Sequence, residues 1–547
     1  MEFRDPTHGG SEPGRYWTTV NIGEAMPDVL SPMCWSFWGP GLEAAARLAY
    51  YDFGILAKDE LAVPTGPDKL MVSYFFGRPA MNMDLLRVLF GAMPGMTADD
   101  FERDICGQVR PGLPPTPKRG RAVHVMAKSP KGMATAGKRL REYAVDQRAW
   151  WEREVLDGAG LADPGRLLAE SYERFKEAFR RHVHGRFVLM PVQAQLTKLA
   201  EGAGRVDLIN RVMGGLGGVT ETALADDLWQ VARGVLDTEG FLRRYGFHGT
   251  NEGNLDGWSW RENDTTLQQM AKAMADRPDA QRPRTREAAM MQARQGSIAE
   301  LVGVLPRAKQ PVARILCKAA VRRVQDNEIG KASFLMALDG GRAATRALGR
   351  RLQSEGRLEE SEDAFYLTME ELLAPDFLGA GFLGDTPGPG PDVRTLVKYR
   401  RERRSEYRGY ELPVTFTGPP EPATAAKPEA GDVGEAGDIV GVAGAPGVVD
   451  GRARVVIDPD VADLLEPGEI LVCRFTDPSW APLFTLAEAL VIDIGAAASH
   501  GAIVARELGV PCVIGTGGGT RRIRTGDRIH VDGGAGRVQI LERADQP

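Results

Sequence analysis

The residue types best suited to group transfer lie in one stretch, Asp493-Ile494-Gly495-Ala496-Ala497-Ala498-Ser499-His500-Gly501-Ala502-Ile503-Val504-Ala505-Arg506-Glu507-Leu508-Gly509. A buried strand ends in small residues, Ser499 is placed to cap a helix, His500 falls in its first turn, and Gly509 stops it. Helix starts present unpaired N–H groups and the positive end of the helix dipole, so a phosphoryl group carried on the His500 ring is stabilised there. Neutral imidazole is also available as a nucleophile near pH 7. Gly495 to Ala498 and Gly501 leave room for a bulky donor to approach. Taken alone, one histidine at a helix start reads better as a polar surface residue or a cap.

The elements that must position this histidine follow from pattern. From about Gly41 to Glu371 apolar residues recur at three- and four-residue spacing, as in Leu85 to Phe90, Leu167 to His182 and Ala343 to Leu352, the last running on to a stop at Gly356. Gly384 to Pro391 cannot continue a helix, because proline lacks a donor and glycine has too much freedom. Lys398 to Arg408 is a basic run expected to form a solvated helix face, and Gly418 to Pro428 is proline-rich and reads as a linker. Beyond Gly437 short β-branched runs, Ala453 to Ile457, Ile470 to Cys473, Ala489 to Ile494 and Pro511 to Ile514, alternate with glycine-rich turns and one helix, Gly501 to Leu508. The expected class is multidomain α and α/β. A large, mostly helical substrate domain spans 1–383, a basic and Pro/Gly-rich linker 384–436, and a small α/β domain 437–547.

The His500 stretch resembles the phosphohistidine swivelling domain of the phosphoenolpyruvate-utilising enzymes, in which a mobile domain carries phosphate between two distant sites. Gly444 to Gly451 and Asp477 to Phe484 are similar to that domain, the second most closely to its rifampin phosphotransferase branch. Trp17 to Pro27, Gly215 to Glu221, Gly349 to Leu352 and Asp363 to Thr368 resemble the same branch in order along the chain. The resemblance implies that His500 is the phosphate carrier, with Ser499, Gly501 and Arg506 holding the phosphate. It also implies a substrate pocket in the helical domain that includes Glu24, Trp35, Glu252 and Asn327.

Two departures from the family pattern stand out. Where the family has Arg-Glu and a spaced lysine, this chain has Asn327-Glu328-Ile329-Gly330-Lys331, so an arginine that would help hold phosphate is lost. Where it has Gly-His-Arg-Gly, this chain has Gly246-Phe247-His248-Gly249, with Glu252 retained. Lys331 is then expected to neutralise phosphate and Glu328 or His248 to act as base. An exposed i,i+3 ion pair explains Glu328 and Lys331 equally well, and a Gly-, Asn- and Thr-rich turn is expected to position His248 and Glu252 without burying them. Trp38, like Trp35, reads as core or pocket wall. His182 and His184 lack further ligands at metal spacing and read as surface residues, so no metal site is expected. Gly132 to Lys138 fits G-x-x-x-x-G-K, but Arg139 stands where the magnesium-binding Ser or Thr belongs and no strand precedes it.

Composition narrows the partners. The chain has 547 residues, 43% of them hydrophobic and 26% charged, enough for two or more cored domains. A formal net charge of −6 gives no basic field for nucleic acid. The five cysteines are scattered with no C-x-x-C pair, which fits a reducing cytoplasm, and no apolar run or leader-like start points to a membrane or export. No ATP-grasp module is recognised, so no cofactor is expected to bind directly and Mg-ATP is expected to act through a separate ATP-grasp subunit. Three readings remain: a phosphotransferase passing phosphate from His500 to a hydroxyl of a sizeable apolar molecule, with dehydration as an extension; a nucleotide-independent dehydratase, cyclase or isomerase using His500 as acid or base; and a non-catalytic binding protein.

Overall fold

A computed structural model describes residues 3, 5–116, 120–374, 381–383, 386–388, 392–424, 438–457, 465–476, 478–496 and 499–544. The first half is helical wherever the three- and four-residue spacing recurs: Leu85 to Phe90 lies in a helix over Met83–Phe90. Strand β1 (Tyr16–Thr18) and the single-turn α1 (Ile22–Ala25) lead into α2 (Pro32–Asp52), where Ser31 accepts from the Cys34 N–H at 3.3 Å and Pro32 takes the first position. The long helices are α3 (Ala122–Trp151), α4 (Pro164–Gly202), α5 (Thr220–Val231), α6 (Pro283–Val304) and α7 (Gln310–Ser354). After α7 the chain turns at Gly356, whose φ of +71° suits glycine.

Helices α4 and α7 run antiparallel. Ser171 meets Gly340, His182 meets Gly330, and Leu189 shares a cluster with Val324. A Cβ on Gly340 would stand 2.5 Å from the Ser171 Oγ and 2.7 Å from the Trp150 ring. A glycine here costs helix propensity but lets three helices close on one another. Trp38, Phe37, Phe175, Phe334 and Trp151 fill the core they enclose.

The basic run Lys398 to Arg408 departs from its expected solvation. It forms α8 (Val393–Arg408), and Arg400 and Arg404 are buried. Arg400 makes two bonds to the Glu371 carboxylate at 2.6 and 2.7 Å; Arg404 pairs with Asp256 at 2.6 Å and donates to the Val29 carbonyl at 2.8 Å. Guanidinium groups with such fixed acceptors can be buried, and charge counting along one helix does not reveal the acceptors. Beyond α8 the chain returns to the first sheet. Strand β1 is flanked by the hairpin of β2 (Val72–Phe75) and β3 (Arg78–Asn82) on one side and by β4 (Thr415–Thr417) on the other, with Tyr16 opposite Thr417. Within the expected break, Thr386–Gly388 pairs with Gly381–Leu383; residues 384–385 and 389–391, and the linker segment 425–437, lie outside the described residues.

The C-terminal region is a sheet formed by β5 (Ile439–Val440), β6 (Val442–Ala445), β7 (Val448–Val456), β8 (Glu469–Cys473), β9 (Leu490–Ile492), β10 (Cys512–Ile514), β11 (Arg528–Asp532) and β12 (Arg537–Glu542). Their spatial order is β6-β10-β9-β8-β7-β11-β12-β5, parallel from β7 through β10 and antiparallel at both edges. Every residue of β8, β9 and β10 is buried, as expected for parallel strands covered on both faces. The expected class, a large helical region followed by a smaller α/β region, is borne out. One apolar core crosses the seam between them: Leu224, Leu228 and Trp229 of α5 pack with Trp480, Phe484 and Val504. Among the described residues no helix is long and apolar enough to cross a membrane.

Candidate active site

His500 opens α9 (His500–Leu508), eight residues after the end of β9, and Gly509 ends that helix at φ +65°. Ser499 stands at the cap position with extended backbone, yet its hydroxyl does not cap its own helix. Its Oγ accepts from the Ala496 N–H at 2.6 Å and donates to Glu24 Oε1 at 2.6 Å. The Glu24 carboxylate also takes the backbone N–H of His500, so an acid from α1 in the helical region supplies the cap. Burial lifts the Glu24 pKa to about 7, against the pull of Ser499, Lys331 and the His500 N–H. Gly501 is required by packing, since a Cβ there would meet Ile492 at 2.7 Å and Thr476 at 2.8 Å.

The His500 ring is enclosed, and neither nitrogen has a hydrogen-bond partner among the described residues. Burial, then the neighbouring Lys331 and His248, hold its pKa well below the usual value, so the ring is neutral at pH 7. Its Nε2 lies 3.6 Å from Glu221 Oε1. Glu221, in the first turn of α5, is buried and hydrogen-bonds to Glu328 of α7; burial and then the Glu328 charge push its pKa well up. A second negative charge beside Glu328 is thereby disfavoured on Glu221. Glu328 is itself buried, and its Oε1 accepts from Asn327 Nδ2 at 3.1 Å, so the exposed ion-pair alternative for Glu328 and Lys331 does not hold. Lys331, one turn on, acts electrostatically on Glu24, Glu221 and His500 alike.

His248 and Glu252 bond to one another, Nδ1 to Oε2 at 2.6 Å, and both are buried, contrary to the expected open turn. Arg342 of α7 explains the difference: its guanidinium donates to the Glu252 and Asn254 carbonyls at 3.1 Å each, while Trp38 Nε1 donates to the Gly253 carbonyl at 2.8 Å. The loop is thus fastened into the interior from two helices.

The structure therefore gathers Glu24, His248, Glu328, Lys331, Ser499 and His500 at one seam, with Asn327 and Glu252 each bound to a member of the group. Trp35 sits in the helical core against Tyr74, ring centroids 4.3 Å apart. Arg506 is buried on α9, where its Nη1 donates to the Gly444 carbonyl at 2.9 Å and burial pushes its pKa down to about 10. His182 and His184 are not surface residues. His184 is buried 3.0 Å from Asp52, and the ring of His182 packs against Phe334, its pKa pushed down to about 3 by burial and by the Arg186 and Lys331 charges. Gly132 to Lys138 lies inside α3, so it forms no phosphate loop.

Glu221 was missing from the expected site although it closes the Gly215 to Glu221 segment; an acid in a helix's first turn reads as dipole compensation, and its partners are remote in sequence. Glu507, in the last turn of α9, was missed because its partners too are remote in sequence. Its carboxylate accepts the Leu216 and Gly217 N–H groups at 3.0 and 3.1 Å and fastens α9 to the loop before α5. Chemically, the seam offers a neutral nucleophilic imidazole, a protonatable carboxyl pair and one lysine, screened from water.

Residues 465–536 match the mobile domain of the PEP-utilising enzymes, and residues 236–328 match the fourth domain of rifampicin phosphotransferase. The chain is 34% identical over 337 residues to a rifampicin phosphotransferase of Streptomyces sviceus, a match covering 60% of this chain and 37% of that protein. It is 30% identical over 315 residues to the Bacillus subtilis rifampicin phosphotransferase (55% and 34%), and 32% identical over 312 residues to the prodigiosin synthesizing transferase PigC of Serratia marcescens (56% and 34%). These matches bear out the resemblance read from the sequence to the PEP-utilising and rifampin phosphotransferase group. They span little more than a third of the length of those curated relatives.

Proposed function

We propose that this chain is the phosphate-carrying and acceptor-binding part of a phosphotransferase, with His500 as the carrier. The observation that supports it most is the His500 ring itself: neutral, without a hydrogen-bond partner, at a helix start, and facing two carboxyls and a lysine from another region. In the first step a ring nitrogen attacks a phosphorus of Mg-ATP held by a separate ATP-grasp subunit; the N–P bond forms, the P–O bond to the leaving part of the nucleotide breaks, and that part departs with the bond's electrons. The sheet region then docks as described here. A substrate hydroxyl attacks the phosphorus, its proton passes to the Glu221–Glu328 carboxyl pair, and the imidazole departs with the electrons of the N–P bond. Lys331 offsets the phosphoryl charge, and His248, held by Glu252, orients the hydroxyl. Phosphorylation also turns that hydroxyl into a leaving group, so elimination to a dehydrated product is a natural sequel.

A second reading is favoured by the same carboxyl pair: with Glu221 protonated beside a neutral imidazole, the seam can run acid–base chemistry on a bound metabolite without nucleotide. Intact mass at neutral pH separates the two. Wild type and His500→Ala are incubated with Mg-ATP and a lysate of the source organism. One added phosphoryl group on wild type alone is the expected result; its absence, with substrate turnover persisting in nucleotide-free buffer, favours acid–base catalysis.

A further inference from the structure

A cavity of about 350 Å³ opens between α4, α7 and α9 beside the His500 cluster. Glu328, Asn327 and Ala496 line it together with the apolar side chains of Leu189, Met190 and Val324, and Arg103, Lys198 and Glu201 stand at its exposed rim. Its size is that of a small-molecule site.

Three of its buried atoms without partners are of one kind, although Arg103, Arg186, Lys198 and Arg506 also line the space. Asp104 Oδ2, Gln193 Oε1 and Asn327 Oδ1 all belong to lining residues, and each is a buried acceptor without a hydrogen-bond partner among the described residues. Asn327 cannot simply turn its amide around, because its Nδ2 is engaged by Glu328. The nearest cation to Asp104, Arg186, stands 3.7 Å away, too far for a hydrogen bond but close enough to balance its charge. Buried acceptors left unmatched are costly, and a ligand that brings donors removes that cost. A ligand that brings only acceptors to these atoms leaves it in place.

We propose that this cavity binds the acceptor substrate, and that this substrate is an apolar molecule whose buried polar atoms are N–H or O–H donors. Calling the occupant the phosphoryl acceptor rests on the phosphotransferase reading, whereas its donor character rests on the cavity alone. The position suits the role: Glu328 lines the cavity and also bonds to Glu221, which lies 3.6 Å from His500, so a molecule filling the space abuts the carboxyl pair.

The test uses the full chain and two fluorescent probes of similar size: N-phenyl-1-naphthylamine, with one N–H donor, and its N-methyl derivative, with none. The expected result is binding of one donor probe per chain at least tenfold tighter than its N-methyl derivative. Gln193→Trp, which fills the cavity, should abolish that binding, and the Asp104→Leu/Gln193→Leu double variant should erase the preference for the N–H probe while the thermal melt shows a folded protein. Equal affinity for the two amines, or selective binding that survives in both variants, overturns the proposal. Wild-type phosphorylation of His500 is measured in parallel. Selective binding without phosphorylation removes the transferase reading and leaves the cavity, and phosphorylation without selectivity does the reverse.

Discussion

Helix α7 carries three buried acids, and two of them, Glu328 and Asp339, eleven residues apart, are built on opposite plans. At Asp339 burial is outweighed by Arg261 and Arg342, with Trp151 Nε1 donating at 2.8 Å, and the carboxyl is held below its usual range. At Glu328 the nearest acid is another carboxyl, Glu221, the single lysine is shared among several groups, and Glu221 and Glu24 are pushed up. Buried charge that serves the fold is neutralised pair by pair. Buried acid left in excess over cation is poised to take up or release protons, which marks the His500 seam as the reactive one.

The largest expected effect is on the structural side. Asp339→Ala takes the carboxylate away from buried Arg342 and half-buried Arg261, leaving Arg342 only the Glu252 and Asn254 carbonyls, and should lower the free energy of unfolding by about 3–5 kcal/mol in a denaturant titration. Tolerance of this change would void the contrast. On the reactive side, Glu221→Gln keeps the shape and should leave stability within ~1 kcal/mol while slowing discharge of phosphorylated His500 on the order of 10²–10³-fold in a single-turnover assay; an unfolded variant with unimpaired discharge would reverse the two roles.

Acidity sharpens the comparison. Glu24 has a pKa raised to about 7 from 4.5, so its protonated form stabilises the docked fold fully below pH 4.5, and that contribution is lost as pH rises through 7. His500, with its pKa lowered, works in the opposite sense below pH 6.5. Subtracting the unfolding free energies of Glu24→Gln from those of wild type cancels the histidine, and the difference should favour wild type by on the order of 2–3 kcal/mol more at pH 5 than at pH 8. A flat difference would place Glu24 in water. Smallest is Ser499→Ala, which removes the bond to Glu24 and should cost about 1 kcal/mol in the same titration.

The legible parts of the site were the local ones. Gly509 ends α9 through its own left-handed turn and the β-branched runs of β8 to β10 announce strands without reference to anything distant, whereas the cap expected of Ser499 is supplied by remote Glu24. Glu328 and Lys331 came from a motif, and the motif could not tell an exposed pair from a buried one, because what buries Glu328 is Glu221, more than a hundred residues earlier. Arg400 and Arg404 were misread for the same cause: Glu371 and Asp256, which neutralise them, lie on other elements. Periodicity reports which face of a helix is apolar; it is silent about a charged residue whose counter-charge the fold supplies.

The pairing of β4 with β1 has a consequence in time. Thr18 and Val414, 396 positions apart, meet where the hydroxyl of one reaches the carbonyl of the other at 3.3 Å. On a ribosome advancing at about 5–20 residues per second, β1 waits roughly 20–80 s for that neighbour to be made. Until then the β1 edge that β4 covers stays open, and a nascent chain must keep it from pairing with strands of other chains.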